Sequence, residues 1–218
     1  MTVTIRRVQR HERAHFAAPV LDLLFSTGPE TFSYQFGGRA LFDKMLGVSW
    51  TTAGTLAGFD AAYAAFDLAA AAEVEPVGVE FGGTAADMEA RTVALESAWE
   101  TMAAEGALAA SVLLGVRGRR RLARWLIPKI PEDAYYVDML AVAPSRRGGG
   151  IGRRLLEHAA ARAAAAGLAS VHLDVFENNP AVRFYETLGF ETVARTIAPD
   201  PHTHGVPAEL RMIRELGD

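Results

Sequence analysis

The sequence predicts an α/β protein with a mixed central sheet and helices on both faces. Three observations carry this. Residues 136–156 read as a strand, a turn opened by Pro144, a glycine-rich loop and an amphipathic helix. Val171, Leu173 and Val175 alternate with His172, Asp174 and Phe176, the pattern of a buried strand. Phe190–Ile197 and Glu209–Arg214 read as a final antiparallel pair, joined by the loop 198–208.

The other elements follow in chain order. Thr2 to Val8 alternates and reads as the first strand. His11 to Phe25 reads as helical, with Pro19 interrupting it or starting its second half. Gly28-Pro29 is a turn, and Phe32 to Leu46 a second helical stretch. Thr51–Phe59 and Ala62–Ala69 read as two strands meeting near Asp60-Ala61. Glu75-Pro76 and Phe81-Gly82-Gly83 break the chain. Thr84 with Asp87 caps a helix from Ala85 to about Glu105, ended by Gly106. A further helical run covers Leu108 to Leu126. Residues 72–132 are too long for a bare loop and are expected to be a helical insertion before the 136–142 strand. Ile151 to Ala166 is the helix after the glycine loop; Ile151, Leu155 and Ala159 share one face, and Gly167 stops it. Ala181 to Leu188 is a short helix ended by Gly189. One domain over residues 1–218, with the insertion inside it, is the expected organisation.

The glycine loop carries the chemistry. Successive main-chain N–H groups at the start of a helix bind phosphate. A Walker loop needs Lys and then Ser or Thr after its last glycine, but Gly152 is followed by Arg153 and Arg154. The dinucleotide fingerprint needs a sixth-place glycine, where Arg153 stands. A third pattern, Arg/Gln-x-x-Gly-x-Gly/Ala, is met by Arg147, Gly150 and Gly152 after a strand ending Leu140-Ala141-Val142. A second segment, residues 178–190, carries Asn178, Ala181, Phe184, Tyr185, Gly189 and Phe190. Those six fit Asn-x-x-Ala-x-x-hydrophobic-Tyr-x-x-x-Gly-Phe. In both motifs, and in their order, the chain resembles the GNAT (general control-related N-acetyltransferase) superfamily. The likeness is close over about residues 134–192 and holds elsewhere in outline.

The resemblance implies a mostly antiparallel sheet, splayed at the cofactor site between Val137–Val142 and Val171–Phe176. It implies an acyltransferase, specifically an acetyltransferase, moving acetyl from acetyl-CoA as cosubstrate to the amine of a small molecule or peptide. Leu140, Ala141 and Val142 would pair with the pantetheine arm, and the Leu140 N–H would polarise the acyl carbonyl. The N–H groups of Gly148, Gly149, Gly150, Ile151, Gly152 and Arg153 would hold the pyrophosphate. Arg147 and Arg153 either add charge there or face water. Asn178 caps the next helix, bonds the pantetheine, or both. Tyr185 would protonate the departing thiolate. A phenol has a pKa of about 10 and a thiol about 8.5, so this transfer depends on placement. The general base is open between Asp138 and Asp174. Asp138 shares the face of Leu140 in a regular strand, a parity that a bulge would alter. The rival reading is a non-catalytic acyl-CoA-binding regulatory module; Tyr185 favours the enzyme. Homodimers are common among relatives, though no residue here signals one.

Composition bounds the alternatives. Half of the 218 residues are hydrophobic, enough for a full core. No cysteine is present, which removes thiol nucleophiles and thiolate metal sites. His202 and His204 lack a carboxylate or histidine partner at metal spacing, so no metal is expected; they are candidates for the substrate mouth. The net charge of −4 argues against nucleic acid as a partner. The basic run 117–124 is either a solvated face or a site for an acidic group. No apolar run nears the length of a membrane span, and the N-terminus lacks a secretion signal's apolar region. A cytoplasmic protein is the expectation.

Overall fold

The computed structural model describes residues 3–67 and 75–217. Its sheet has seven strands in the order β1-β2-β3-β4-β5-β7-β6. These are β1 Val3–Arg7, β2 Tyr63–Asp67, β3 Pro76–Gly83, β4 Ala134–Val142, β5 Ser170–Phe176, β6 Glu191–Thr196 and β7 Glu209–Glu215. Every neighbouring pair is antiparallel except β4 and β5. The helices are α1 Ala17–Phe25, α2 Pro29–Phe36, α3 Arg39–Thr51, α4 Ala85–Ala104, α5 Ala110–Ala123, α6 Ile151–Ala165, α7 Ala181–Glu186 and α8 Pro199–Thr203. The mixed, mostly antiparallel sheet is as expected.

Two cores flank the sheet. On one face, α1 to α5 pack Phe36, Phe42, Trp50, Leu95 and Trp99 over Phe66, Val79, Phe81 and Ala141. On the other, α6 sets Leu156, Ala159 and Ala163 against Tyr135, Val137, Val171 and Leu173. α4 begins as the sequence indicates. Thr84 accepts from the Asp87 N–H, and the Asp87 carboxylate accepts from the Thr84 N–H, so two orphan donors are satisfied reciprocally.

Three expectations need correction. The stretch Phe32–Leu46 is two helices, because Gly37 and Gly38 lie at φ 76° and 140° and break the ladder. Thr51–Phe59 is no strand. α3 runs to Thr51 and turns follow, with the buried Thr55 hydroxyl donating to the Ser49 carbonyl at 2.7 Å. The strand expected over Ala62–Ala69 is β2, and its last two positions lie outside the described residues, as do Thr2 and the start of the 72–132 segment.

The third correction is β3. Its glycines and Pro76 read as chain breaks, yet it is a central strand between β2 and β4. The glycines are there for close approach. A Cβ on Gly78 would stand 3.1 Å from Leu155 and 3.2 Å from Ile151, so this glycine lets α6 settle on the sheet. A Cβ on Gly82 would collide with the Tyr136 carbonyl oxygen and stand 2.8 Å from the Tyr135 ring. Only α4 and α5 are therefore inserted helices, between β3 and β4.

Gly82 stands where the β3–β4 register slips. Gly82 pairs with Val137 and Phe81 with Met139, so Asp138 is an extra residue in β4. Beside it lies a buried polar knot. Tyr135 donates to the Glu80 carboxylate at 2.8 Å, and the Arg162 guanidinium donates to both. We expect Gly82→Ala to cost about 1–3 kcal/mol of stability, because the added methyl meets backbone. Denaturant unfolding checks this; an unchanged midpoint would mean that the two strands slide apart freely.

Candidate active site

Parallel pairing of β4 with β5 runs from Ala134↔Ser170 to Val137↔Leu173 and stops. β4 continues to Val142 and β5 to Phe176 without each other. A cavity of about 950 Å³ fills the divergence, lined by Val137–Val142 on one side and Leu173–Phe176 on the other. It reaches the glycine loop at one end and the α1–α2 connection and α5 at the other.

The glycine loop is tied down around its open amides. Gly148 and Gly150 sit at φ 78° and 76°, with no atom near where a Cβ would be. They are required for the left-handed turns, not because a neighbour crowds them. Gly150 is the N-cap of α6, and the first N–H groups of a helix have no acceptor within it. The surrounding arginines brace the loop. Arg146 pairs with Asp67 at the end of β2, Arg147 donates to the Val142 carbonyl at 3.2 Å, and Arg154 donates to the Val3 carbonyl at 2.6 Å. Arg153 is exposed, 3.6 Å from Glu157. Gly152 faces Phe184 of α7, whose ring would lie 3.3 Å from an added Cβ. Thus Leu140–Val142, Arg147, Gly148, Gly150, Ile151, Gly152 and Arg153 all line one cavity.

Tyr185 lines the same cavity from α7, between Phe184 and Phe190 at ring distances of 5.3 and 5.8 Å. Burial pushes its phenol up to about 12, so it stays protonated through the physiological range. Asn178 is exposed on the cavity wall. Asn178 is not the cap of α7: Pro180 holds that position, and the Asn179 carboxamide accepts from the Ala181 N–H at 2.9 Å.

The acids divide by their partners. Asp174 accepts two bonds from Arg211, both at 2.7 Å, and one from the Tyr136 hydroxyl at 2.9 Å. It is saturated. Asp138 is half-buried in the cavity, and burial pushes its carboxyl up to about 6 against the pull of Arg120. The extra residue in β4 corrects the expected parity. Leu140 and Val142 pack on the α6 side, whereas Met139 and Ala141 join the opposite core, and Asp138 feels Arg91 of α4 and Arg120 of α5. Asp138 and Leu140 therefore face opposite sides of the sheet. Sequence reasoning missed Glu209, whose carboxyl burial and the Asp174 charge push up to about 8. It also missed Arg120, which stacks 5.0 Å from the Trp99 ring and lines the cavity. Arg124 of the same run lines the cavity too, exposed to solvent, whereas two others are structural. Arg117 pairs with Glu96 and Glu100, and Arg119 donates to the Gln35 carbonyl.

His204 and His202 are exposed on α8 and its end, each with Nδ1 near a main-chain carbonyl. Among the described residues no group of three or more His, Asp or Glu is arranged to hold a metal, and no helix is long and apolar enough to cross a membrane.

A family model described as Acetyltransferase (GNAT) family matches residues 68–190, more than half of the chain. The chain belongs to the GNAT acetyltransferase family. Solved structures share its fold. An N-acetyltransferase from Staphylococcus aureus Mu50 matches with TM-score 0.65 and 15% identity, over 96% of this chain and 99% of that one. A structure described as an acetyltransferase matches with TM-score 0.64 and 20% identity, over 98% and 100%. A chain of the NatC complex bound to Gag peptide and CoA matches with TM-score 0.55 and 16% identity, over the full length of both. Within this GNAT fold, then, the divergence of β4 from β5 and the braced glycine loop stand in one cleft.

Both raised acids oppose folding as the pH rises. Each holds its proton more tightly folded than unfolded, so stability falls from the ordinary carboxylate value up to the raised one. The window runs from 4.5 to about 8 for Glu209 and from 3.8 to about 6 for Asp138. We expect Glu209→Gln to gain stability over the parent as pH is raised from about 5 to about 8. Denaturant midpoints across that range check it; curves that stay parallel overturn it.

Proposed function

We propose that this GNAT chain is an N-acetyltransferase moving acetyl directly from acetyl-CoA to an amine. One observation carries the reading: amide cradle, unpaired strand edge and unpartnered acid share a single cavity. When bound, acetyl-CoA supplies an acetyl thioester open to attack by a neutral amine.

The chain's residues take these parts. The amides from Gly148 through Gly149, Gly150, Ile151 and Gly152 to Arg153 hold the diphosphate, helped by the dipole of α6 and the charge of Arg153. The β4 edge at Leu140, Ala141 and Val142 receives the pantetheine amides, and Asn178 bonds to them from the opposite wall. The Leu140 N–H polarises the acyl carbonyl; such a donor is worth about 3 kcal/mol in other enzymes. Asp138 is the general base. Its carboxyl, near 6, is ionised at neutral pH yet basic enough to take a proton from an ammonium in the transition state. Asp174 is excluded from that task by its bonds to Arg211 and Tyr136. Tyr185 gives its proton to the leaving sulfur. Its phenol is a weak acid at about 12, but a thiolate released in the same dry site is a stronger base than in water.

Tyr185→Phe should lower kcat about a hundredfold while CoA affinity holds. Single-turnover thiol release together with calorimetry separates the two effects; a fully active variant would remove Tyr185 from the mechanism. Gly150→Val should weaken CoA binding about tenfold, since a side chain at φ 76° distorts the loop. An unchanged dissociation constant would sink the cradle.

A further inference from the structure

Glu209 takes no part in the steps assigned to Asp138 and Tyr185. It is the first residue of β7, opposite Phe176 of β5 and Thr196 of β6. Its side chain lines the same cavity as Asp138. Among the described residues, no hydrogen bond or ion pair engages either carboxylate. Of the nearby cations, Arg124 lines the cavity exposed to solvent and without an ion pair among the described residues, and two others are committed elsewhere. Arg211 is spent on Asp174 and on the Pro128 carbonyl at 3.0 Å. Arg120 donates to the Gln35 carboxamide at 3.3 Å and lies 3.9 Å from Glu96. Two acids without hydrogen-bonded partners, drawn out of water, favour their neutral forms, Glu209 the more strongly, and an arriving cation makes their ionisation favourable.

The rest of that half of the cavity sets polar groups at Thr27, Glu30, Thr31, Gln35 and Arg124 beside an apolar wall of Phe32, Phe36, Leu56, Ile127 and Phe176. It is also roofed. Leu126, Phe176, Ala198 and Val206 form one buried cluster with Tyr34 against it. The Thr196 hydroxyl donates to the Leu126 carbonyl, and the Tyr34 hydroxyl to Asp200. The β6–β7 connection is thereby fastened to α2 and to the 3-10 turn after α5, behind Phe176.

We propose that the acceptor is a compact primary amine with an apolar body, held as its ammonium by Glu209 together with Asp138. This rests on the acetyltransferase reading above. The ammonium gives one proton to Asp138. The neutral nitrogen then bonds to the acetyl carbon, the carbon–sulfur bond breaks, and Tyr185 protonates the sulfur. The new amide nitrogen sheds its second proton to Glu209, and Tyr185 regains a proton from solvent. One proton is released overall, as acetylation of an ammonium requires.

Steady-state kinetics with acetyl-CoA test this on the full chain. The acceptors are phenethylamine, isopentylamine and cyclohexylmethylamine, beside a capped peptide with a free N-terminus. We expect at least one compact amine to exceed the peptide in kcat/KM. Glu209→Gln should raise the KM of that amine about tenfold or more, with the acetyl-CoA KM little changed. Glu209→Asp, which keeps the charge, should recover part of the loss. A peptide preferred over every compact amine, or an amine KM untouched in Glu209→Gln, overturns the subsite. If calorimetry shows CoA bound while no compact amine is turned over, the subsite fails and the cradle stands. If CoA does not bind, the acetyltransferase reading itself fails.

Discussion

The site depends on where the one parallel pairing among the described residues ends. β4 and β5 part after Val137 and Leu173, and beyond that point they pair only outward, with β3 and β7, so their facing edges have no strand to meet. Unpaired main-chain groups inside a protein must find another partner. In this sheet the vacancy is held open from the other side. The extra residue at Asp138 bends β4 where the pairing stops, and the Glu80, Tyr135 and Arg162 knot pins β3 and β4 to α6 just before the bend. Glu80 is wholly buried, and its attraction to Arg162 works against a desolvation that pushes its pKa up. Removing one partner of such a pair typically costs several kcal/mol. The β4 edge toward β5 is anchored at its root and open at its tip, while the opposite edge stays paired with β3.

The sequence displayed the tip far better than the root. The strand, loop and helix over 136–156 are legible because glycines at left-handed positions, an apolar strand and helical periodicity are local properties. α4 was legible for the same reason, through Thr84 and Asp87. β3 was not. Its glycines answer Leu155, Ile151 and Tyr136, residues more than fifty positions away, and in the sequence alone they look like turns. The face of Asp138 was equally hidden, because its parity depends on which β3 residue lies opposite. Glu209 carried no local signal at all; only the return of β7 beside β5 brings it into the cavity.

Charge in the cleft follows a division of labour that the fold enforces. Arginines at the glycine loop mostly reach into the protein: Arg146 to Asp67, Arg147 to Val142, Arg154 to Val3. They brace the loop, whose amides from Gly148 to Arg153 meet no acceptor among the described residues. At the other end Arg211 and Arg120 satisfy Asp174, Glu96 and Gln35, Arg124 stays in solvent, and two buried acids are left without hydrogen-bonded partners. One end is short of negative charge and the other of positive charge. A molecule with a diphosphate at one end, and a second molecule with an ammonium, fit those opposite deficits.

The same arrangement bears on stability. A carboxyl raised to about 8 and another raised to about 6 each weaken the fold near neutral pH, in proportion to how strongly burial disfavours their charge. Nothing in the packing requires acids at these two positions, because neither makes a bond that holds an element in place. A core selected for stability alone would put an amide or an apolar side chain there. Their cost makes sense only if the charge is used by something that enters the cavity, and a cation is what two unpartnered carboxylates can use.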